Sequence, residues 1–180
     1  LKMMIGDVRQ NQSVLDAVYG CQVVIHTAAM KHVDLCEKHV YEAVQTNLIG
    51  AQNVREACSS VCDVEVRKLV LVSSDKAAEP HGVMGMTKHL QERLLLTNQS
   101  PNVDAVAVRL GNVLGSQGSV VWRFKEQAAR GEPLEITHLD MLRYVMTPRQ
   151  AAEVVLWAGA AEKRDGVVRG SVIVRQMPTC

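Results

Sequence analysis

Neither sign of charge dominates this chain: 20 Lys and Arg stand against 19 Asp and Glu, a net charge of +1. No global field therefore recruits nucleic acid or an anionic membrane, and any anion has to be held by a local site. Long apolar runs are missing too. None approaches the roughly 20 residues that span a bilayer, and no charged-then-apolar leader opens the sequence, so this segment is expected to be soluble and free of membrane contact. The five cysteines, Cys21, Cys36, Cys58, Cys62 and Cys180, form no Cys-x-x-Cys pair. That speaks against a disulfide framework or a zinc site, and a reducing cytoplasm fits best. Cys58 and Cys62 stand four apart, a helical spacing that a metal can use, but without His or Cys partners nearby small buried hydrophobes are the simpler reading. No repeat, low-complexity stretch or linker interrupts the 180 residues, which at 47% hydrophobic and 22% charged suffice for one globular domain with a real core.

What is present is an alternation of apolar runs of strand length with longer stretches of helical period, the pattern of βαβ units around a parallel sheet. Strands are predicted at about Leu1–Ile5, Gln22–His26, Lys68–Ser73, Ala105–Arg109 and Ser171–Val174. Their Val, Ile and Leu content suits strands covered on both faces. Val40, Ala43, Val44, Asn47, Leu48, Ala51, Val54 and Cys58 repeat at helical spacing and predict one long amphipathic helix. Asn47 lies within that apolar stripe. A buried amide needs partners on several sides, so Asn47 is either a clamp between helix and loop or part of a site. Further helices are predicted over about Gly82–Thr97, over Ser119–Arg130 with Gly131 and Pro133 ending it, and over Pro148–Gly159.

One part of a dinucleotide fold is not seen: the opening strand, Gly-rich turn and helix that hold a pyrophosphate. The chain begins with a strand leading into Gly6-Asp7-Val8-Arg9, so the first βαβ unit either lies outside the sequence or has been lost. An Asp at a strand's end can accept hydrogen bonds from an adenine or a ribose, and it can equally cap a helix starting near Ser13. His26-Thr27-Ala28-Ala29-Met30-Lys31-His32 follows a strand of the same sheet, and its two alanines let a ring or ribose approach the backbone. His26 and His32 lack a third metal ligand, and Lys31 either meets a phosphate or faces water.

The most informative stretch runs from Ser73 to Lys88. A strand delivers Ser74, Asp75 and Lys76 to the sheet's C-terminal edge, while Met84 and Lys88, four apart, share one face of the next helix. Edge and helix face can therefore line one pocket, although Asp75 and Lys76 also read as an ion pair closing a turn. Downstream, Arg109-Leu110-Gly111-Asn112-Val113-Leu114-Gly115-Ser116-Gln117-Gly118-Ser119 joins a strand to a helix through three glycines. Exposed N–H groups there, the helix N-terminus and Asn112 would suit a diphosphate, and a plain glycine loop is the other reading.

Together the Ser-Ser-Asp-Lys turn, the Met-Gly-x-Thr-Lys helix, the Ala-Ala-Met-Lys-His loop and the Gly-Asn-Val-Leu-Gly-Ser-x-Gly-Ser-Val segment resemble the UDP-N-acetylglucosamine 4,6-dehydratases of polysaccharide biosynthesis, extended short-chain dehydrogenases/reductases, over about Gly6 to Gly159. Met84 stands where the superfamily places a Tyr, as in one branch of these enzymes, and a thioether transfers no protons. His138-Leu139-Asp140-Met141-Leu142-Arg143-Tyr144-Val145-Met146-Thr147 follows the family's pattern except for Leu139 in place of Pro. The resemblance implies an α/β Rossmann-type doubly wound parallel sheet, incomplete for want of its first βαβ unit. Residues 1–110 would form the dinucleotide-binding part and residues 111–180 a small nucleotide-sugar region interleaved with the sheet. NAD or NADP would be held by Asp7, Val8, Ala28, Ala29, Met30, Asn47, Ser73 and Lys88. The UDP-sugar would meet Lys31, Asn112, Ser116, Gly118, Ser119, Val120 and Arg143.

Catalysis would fall to Ser74, Asp75, Lys76, Met84 and Lys88, with no metal. A 4,6-dehydratase needs a base for the sugar's C5 proton and an acid for the C6 hydroxyl; a desolvated Lys76 and an Asp75 of raised pKa supply that pair. The route of the O4 proton, through Lys76, Asp75 or a water on Ser74, stays open. A 4-epimerase of the same fold would need no such pair, and a non-catalytic dinucleotide-binding remnant is the third reading. The resemblance further implies a cytoplasmic homo-oligomer, with a membrane anchor, if there is one, in the region upstream.

Overall fold

A computed structural model describes residues 2–60, 66–97, 100–136, 138, 140–162 and 165–179; Cys62, Leu139 and Cys180 lie outside the described residues. Strands β1 (Val23–His26), β2 (Lys68–Ser74), β3 (Asp104–Leu110) and β6 (Val172–Val174) form a parallel sheet in the order β1-β2-β3-β6. A strand's side chains alternate between its faces, and β2 uses both. Leu69 and Leu71 pack with Val14 and Val18 of helix α1 (Asn11–Val18), Val54 and Ala57 of α4 (Gly50–Ser60) and Leu95 of α5 (Gly82–Leu96). Val70 packs on the other face with Val106, Val108, Val154 and Ala158, the last two from α7 (Pro148–Ala160). Helices thus cover both faces of the central strands, the doubly wound arrangement expected. Thr147 and Gln150 form a capping box at the start of α7, with Pro148 in its first turn.

The remaining elements are α2 (Val33–Lys38), α3 (Val40–Val44), α6 (Val120–Ala129) and a two-stranded parallel ladder, β4 (Asn112–Val113) with β5 (Val145–Met146). Because β6 returns to the main sheet, the region after residue 110 is interleaved with the sheet and not appended to it. Among the described residues no helix is long and apolar enough to cross a membrane.

The strand expected at Leu1–Ile5 does not form: residues 2–5 have no ladder partner. A strand is stabilised by its neighbour, and Ile5, fully exposed, buries nothing that would hold it in place. A cavity of about 390 Å³ separates Met4–Val8 from the free edge of β1. The long helix over Val40–Cys58 is present but interrupted, since Gln45–Ile49 between α3 and α4 form a π turn. α2, β4 and β5 were not foreseen.

Candidate active site

One helix positions two loops. The π turn widens the helix where Asn47 sits, fully buried. The Asn47 side-chain oxygen accepts from the Met30 N–H at 2.7 Å, and its amide nitrogen donates to the Met30 carbonyl and to Thr87 Oγ1, each at 3.0 Å. Of the two readings of Asn47, the geometry is that of the clamp: it holds the Ala28-Ala29-Met30 loop against α5. Single-turn π segments recur at functional sites because they aim one side chain off the α register. Six residues along, Asn53 donates to the Val8 carbonyl at 2.8 Å. A Cβ on Gly50 would stand 2.7 Å from a Val8 methyl, so glycine is what lets the helix approach there.

Asp7, Val8 and Ala28 consequently line one cavity with the apolar side chains of Ile5, Val14, Val18 and Val54. Apolar walls and one carboxylate fit a flat base and its ribose. Asp7 caps no helix: α1 begins at Asn11 without a side-chain cap, and the Asp7 carboxylate accepts from the Arg9 backbone and guanidinium. Those hydrogen bonds hold its pKa below the usual carboxylate value. Arg9 also pairs with Glu42 of α3 at 2.7 Å.

At the C-terminal end of β2 the chain enters a 3-10 turn, Asp75–Ala77. Ser74 Oγ donates to Asp75 Oδ1 at 2.8 Å, and the Lys76 ammonium donates to Asp75 Oδ1 at 3.0 Å and to Asn112 Oδ1 at 3.2 Å. The Asp75–Lys76 ion pair is real, and it also reaches across to β4. The four side chains Ser74, Asp75, Lys76 and Asn112 therefore form one partly buried cluster at the sheet edge. Ser73, by contrast, turns into the core and donates to Glu92 at 2.5 Å.

Lys88 is buried and donates to the Val72 carbonyl at 3.0 Å and to Gln91 Oε1 at 2.9 Å. Burial pulls its pKa down to about 8, opposed by the charge of Glu92. Glu92 in turn accepts from Arg109 at 2.7 and 2.9 Å, which raises the arginine's pKa. Met84 does not face open space. It packs with Cys36 and Ala43, against Met30 and Val83, so its contribution is to back the Met30 loop. α5 begins at Gly82, whose positive φ of 73° brings Val83 N–H onto Glu37 Oε1 at 2.6 Å, a cap supplied by α2.

The glycine loop is ordered by its own turns. Ser116 N–H donates to the Val113 carbonyl and Ser119 N–H to the Ser116 carbonyl. These two amides, expected to face an anion, are engaged because the loop is a pair of tight turns. Ser119 precedes α6, and its buried hydroxyl has no hydrogen-bond partner. Lys31 Nζ donates to the Gln117 carbonyl at 2.7 Å, and His32 packs so closely on Gly118 that a Cβ there would lie 2.3 Å from its ring. The 115–119 loop is thereby latched to the loop after β1. Val120, the first residue of α6, is exposed. Arg143 is not brought to the cluster; it is exposed, with its guanidinium on the Leu142 carbonyl. Among the described residues no three His, Cys, Asp or Glu are placed to hold a metal.

Sequence reading missed Gln91, Glu92 and Arg109. The signal was available: Met84, Lys88, Gln91, Glu92 and Leu95 fall on one helical stripe and all are buried. Polar residues on an apolar stripe require partners.

The fold and site define a doubly wound α/β architecture with a polar cluster past the end of its second strand. Comparison places it more closely: residues 1–179 match the family described as "Polysaccharide biosynthesis protein", and the chain belongs to that family. It is 42% identical to the capsular polysaccharide biosynthesis protein CapD of Staphylococcus aureus over 87% of its own length and 26% of that protein's. A UDP-glucose 4-epimerase of Rickettsia typhi is 40% identical over 88% of this chain and 47% of its own. Among solved structures, Pen from Bacillus thuringiensis has a TM-score of 0.89 at 36% identity, covering 99% of this chain and 55% of Pen. MoeE5, solved with UDP-glucose and NAD, has a TM-score of 0.81 over 96% of this chain and 62% of its own, a likeness of fold at 22% identity. The chain thus spans about half or less of the curated relatives' length.

Proposed function

We propose that the protein is an NAD- or NADP-dependent enzyme that dehydrates a UDP-sugar, UDP-N-acetylglucosamine or a close relative, to a 4-keto-6-deoxy sugar. The observation that carries this reading is the cluster of Ser74, Asp75, Lys76 and Asn112, an acid and a base side by side at the strand edge. Residues 1–110 hold the dinucleotide and residues 111–180 the nucleotide sugar.

The bound dinucleotide supplies a hydride acceptor for sugar C4 and a hydride donor for C6. Asp7, Val8 and Ala28 receive its adenosine end, and the Asn47-clamped Met30 loop sets the backbone beside it. Lys88 has three N–H bonds, two of them engaged with Val72 and Gln91, and directs the third to the nicotinamide ribose. A proton passes from Lys76 to Asp75 across their ion pair, the neutral Lys76 amine then removes the C5 proton once C4 is a ketone, and the protonated Asp75 gives its proton to the departing C6 hydroxyl. The O4 proton leaves through the same turn, since Met84 has neither the chemistry nor the position to take it. The unpartnered Ser119 hydroxyl, with Gly118, Val120 and the Lys31 latched to the glycine loop, serves the diphosphate.

The test is to incubate the full-length protein with UDP-N-acetylglucosamine and NAD or NADP in deuterated water. Dehydration gives a product lighter by one water that carries solvent deuterium at C5, and Lys76→Ala abolishes that exchange. A product of unchanged mass without deuterium at C5 refutes dehydration and establishes the second reading, 4-epimerisation, which the likeness to the Rickettsia enzyme favours.

A further inference from the structure

We infer that Gln91 is a positioning residue for Lys88: its side-chain carbonyl holds the Lys88 ammonium while its amide holds the His26 ring. Gln91 is fully buried at the centre of α5's inward face. Its orientation follows from chemistry. An ammonium only donates, so the atom 2.9 Å from Lys88 Nζ is the Gln91 carbonyl oxygen. The NH2 group then faces His26 Nε2 at 3.1 Å, and that nitrogen has to accept. The His26 proton therefore sits on Nδ1, and the ring is neutral. Burial and the Lys88 charge together pull the His26 pKa down to about 4, which agrees with that state.

The arrangement is directional. Lys88 gives to Gln91, Gln91 gives to His26, and His26 ends β1 immediately before the Thr27-Ala28-Ala29 loop. Gln91 thus ties the lysine beneath the edge of β2 to the root of the loop after β1. It also bears on the acidity of Lys88, because a carbonyl acceptor favours the ammonium over the free amine. The role in catalysis rests on the function proposed above; the effect on Lys88 does not.

The other charged groups around Lys88 are otherwise engaged. Glu92 on the same helix is paired with Arg109 of β3, and Asp75 with Lys76 beyond β2. His89 bonds to the Ala77 carbonyl, Glu37 of α2 to Val83 N–H, Glu42 of α3 to Arg9, and Arg55 of α4 to the Leu94 carbonyl. The Cys36 and Cys58 thiols are pushed up by burial, Cys58 to about 12.

The experiment is an NMR titration of lysine ε-carbons in the full-length protein, with the Lys88 signal identified by its loss in Lys88→Met. The parent midpoint is expected at about 8. Gln91→Met keeps the volume and removes the acceptor, and should lower the midpoint by about one pH unit. Gln91→Glu keeps the length and adds a negative charge, and should raise it by about as much. Opposite shifts support the inference, because a merely structural glutamine would not move the two variants apart; any other pattern overturns it. Should Gln91→Met fail to fold, Gln91→Glu carries the test, and an unmoved midpoint there is sufficient to reject the idea. The titration needs no substrate: midpoints that move as expected in a protein that converts no UDP-sugar would sink the proposed reaction and leave Gln91's role standing.

Discussion

Acid should remove stability through one buried ring. His26 is 4% exposed and accepts its hydrogen bond from Gln91 while neutral. Burial first, and the charge of Lys88 second, lower its pKa from 6.5 to about 4. Between those values the unfolded chain binds a proton that the folded chain refuses. Stability is therefore untouched above the unfolded value, falls as the pH drops through this window, and levels off below the folded one. At about 1.4 kcal/mol per pH unit, the full loss is about 3 kcal/mol, a large part of the stability of a typical domain. The assay is urea unfolding followed by circular dichroism at intervals from about pH 7 to about pH 4, for the parent and for His26→Gln, whose side chain accepts a hydrogen bond but does not titrate. Carboxylates elsewhere titrate equally in both proteins, so the difference isolates the ring. The variant should start less stable and gain on the parent by about 3 kcal/mol as the pH falls. A difference that stays constant to within about 0.5 kcal/mol would refute the burial argument.

Two further outcomes follow from packing at the start of α5. Gly82→Ala places a Cβ 2.4 Å from Glu37 Oε1 at a φ of 73°; strain and loss of the cap should together cost about 2 kcal/mol in chemical denaturation, and a neutral effect would show the cap to be slack. Met84→Leu conserves volume and should change stability by less than about 1.5 kcal/mol and turnover by less than about tenfold, whereas Met84→Ala should cost about 3 kcal/mol in a thermal or urea melt. A fall of several powers of ten in turnover for Met84→Leu, with stability intact, would contradict the packing role.

The sheet was legible because Val, Ile and Leu runs such as Lys68–Ser73 have the length and bounds of covered strands, and the observed strands lie within two residues of four of the expectations. The fifth, at Leu1–Ile5, was also an apolar run of strand length but failed, since a strand needs a partner that residues 2–5 do not have. The pairing of Asn112 with Val145 rests on two backbone contacts and leaves no periodic trace. Asn47 could be read as a buried amide, but the choice between clamp and ligand required its partners Met30 and Thr87. The Lys88 environment was hidden for a different reason. Gln91 and Glu92 look like surface residues of a helix until the stripe they share with Met84 and Leu95 is counted. The edge position of Ser74, Asp75 and Lys76 came from strand length alone, yet the reach of Lys76 to Asn112 spans 36 residues and is a product of the fold.

The π turn at Gln45–Ile49 also sets a phase relation. In an α-helix each residue advances the side-chain direction by about 100°, so the extra residue in the wide turn rotates everything after it relative to what precedes. Tyr41 and Glu42 look outward toward Arg9 and solvent, while Gly50 and Asn53 meet Val8; both directions are correct only with the extra residue in place. Deleting one residue from this stretch would restore a regular helix and leave either Asn47 or Asn53 pointing the wrong way. The two loops that they anchor are thus locked to a common helical phase, and a length change of one residue here should be harder to tolerate than most substitutions in the same helix.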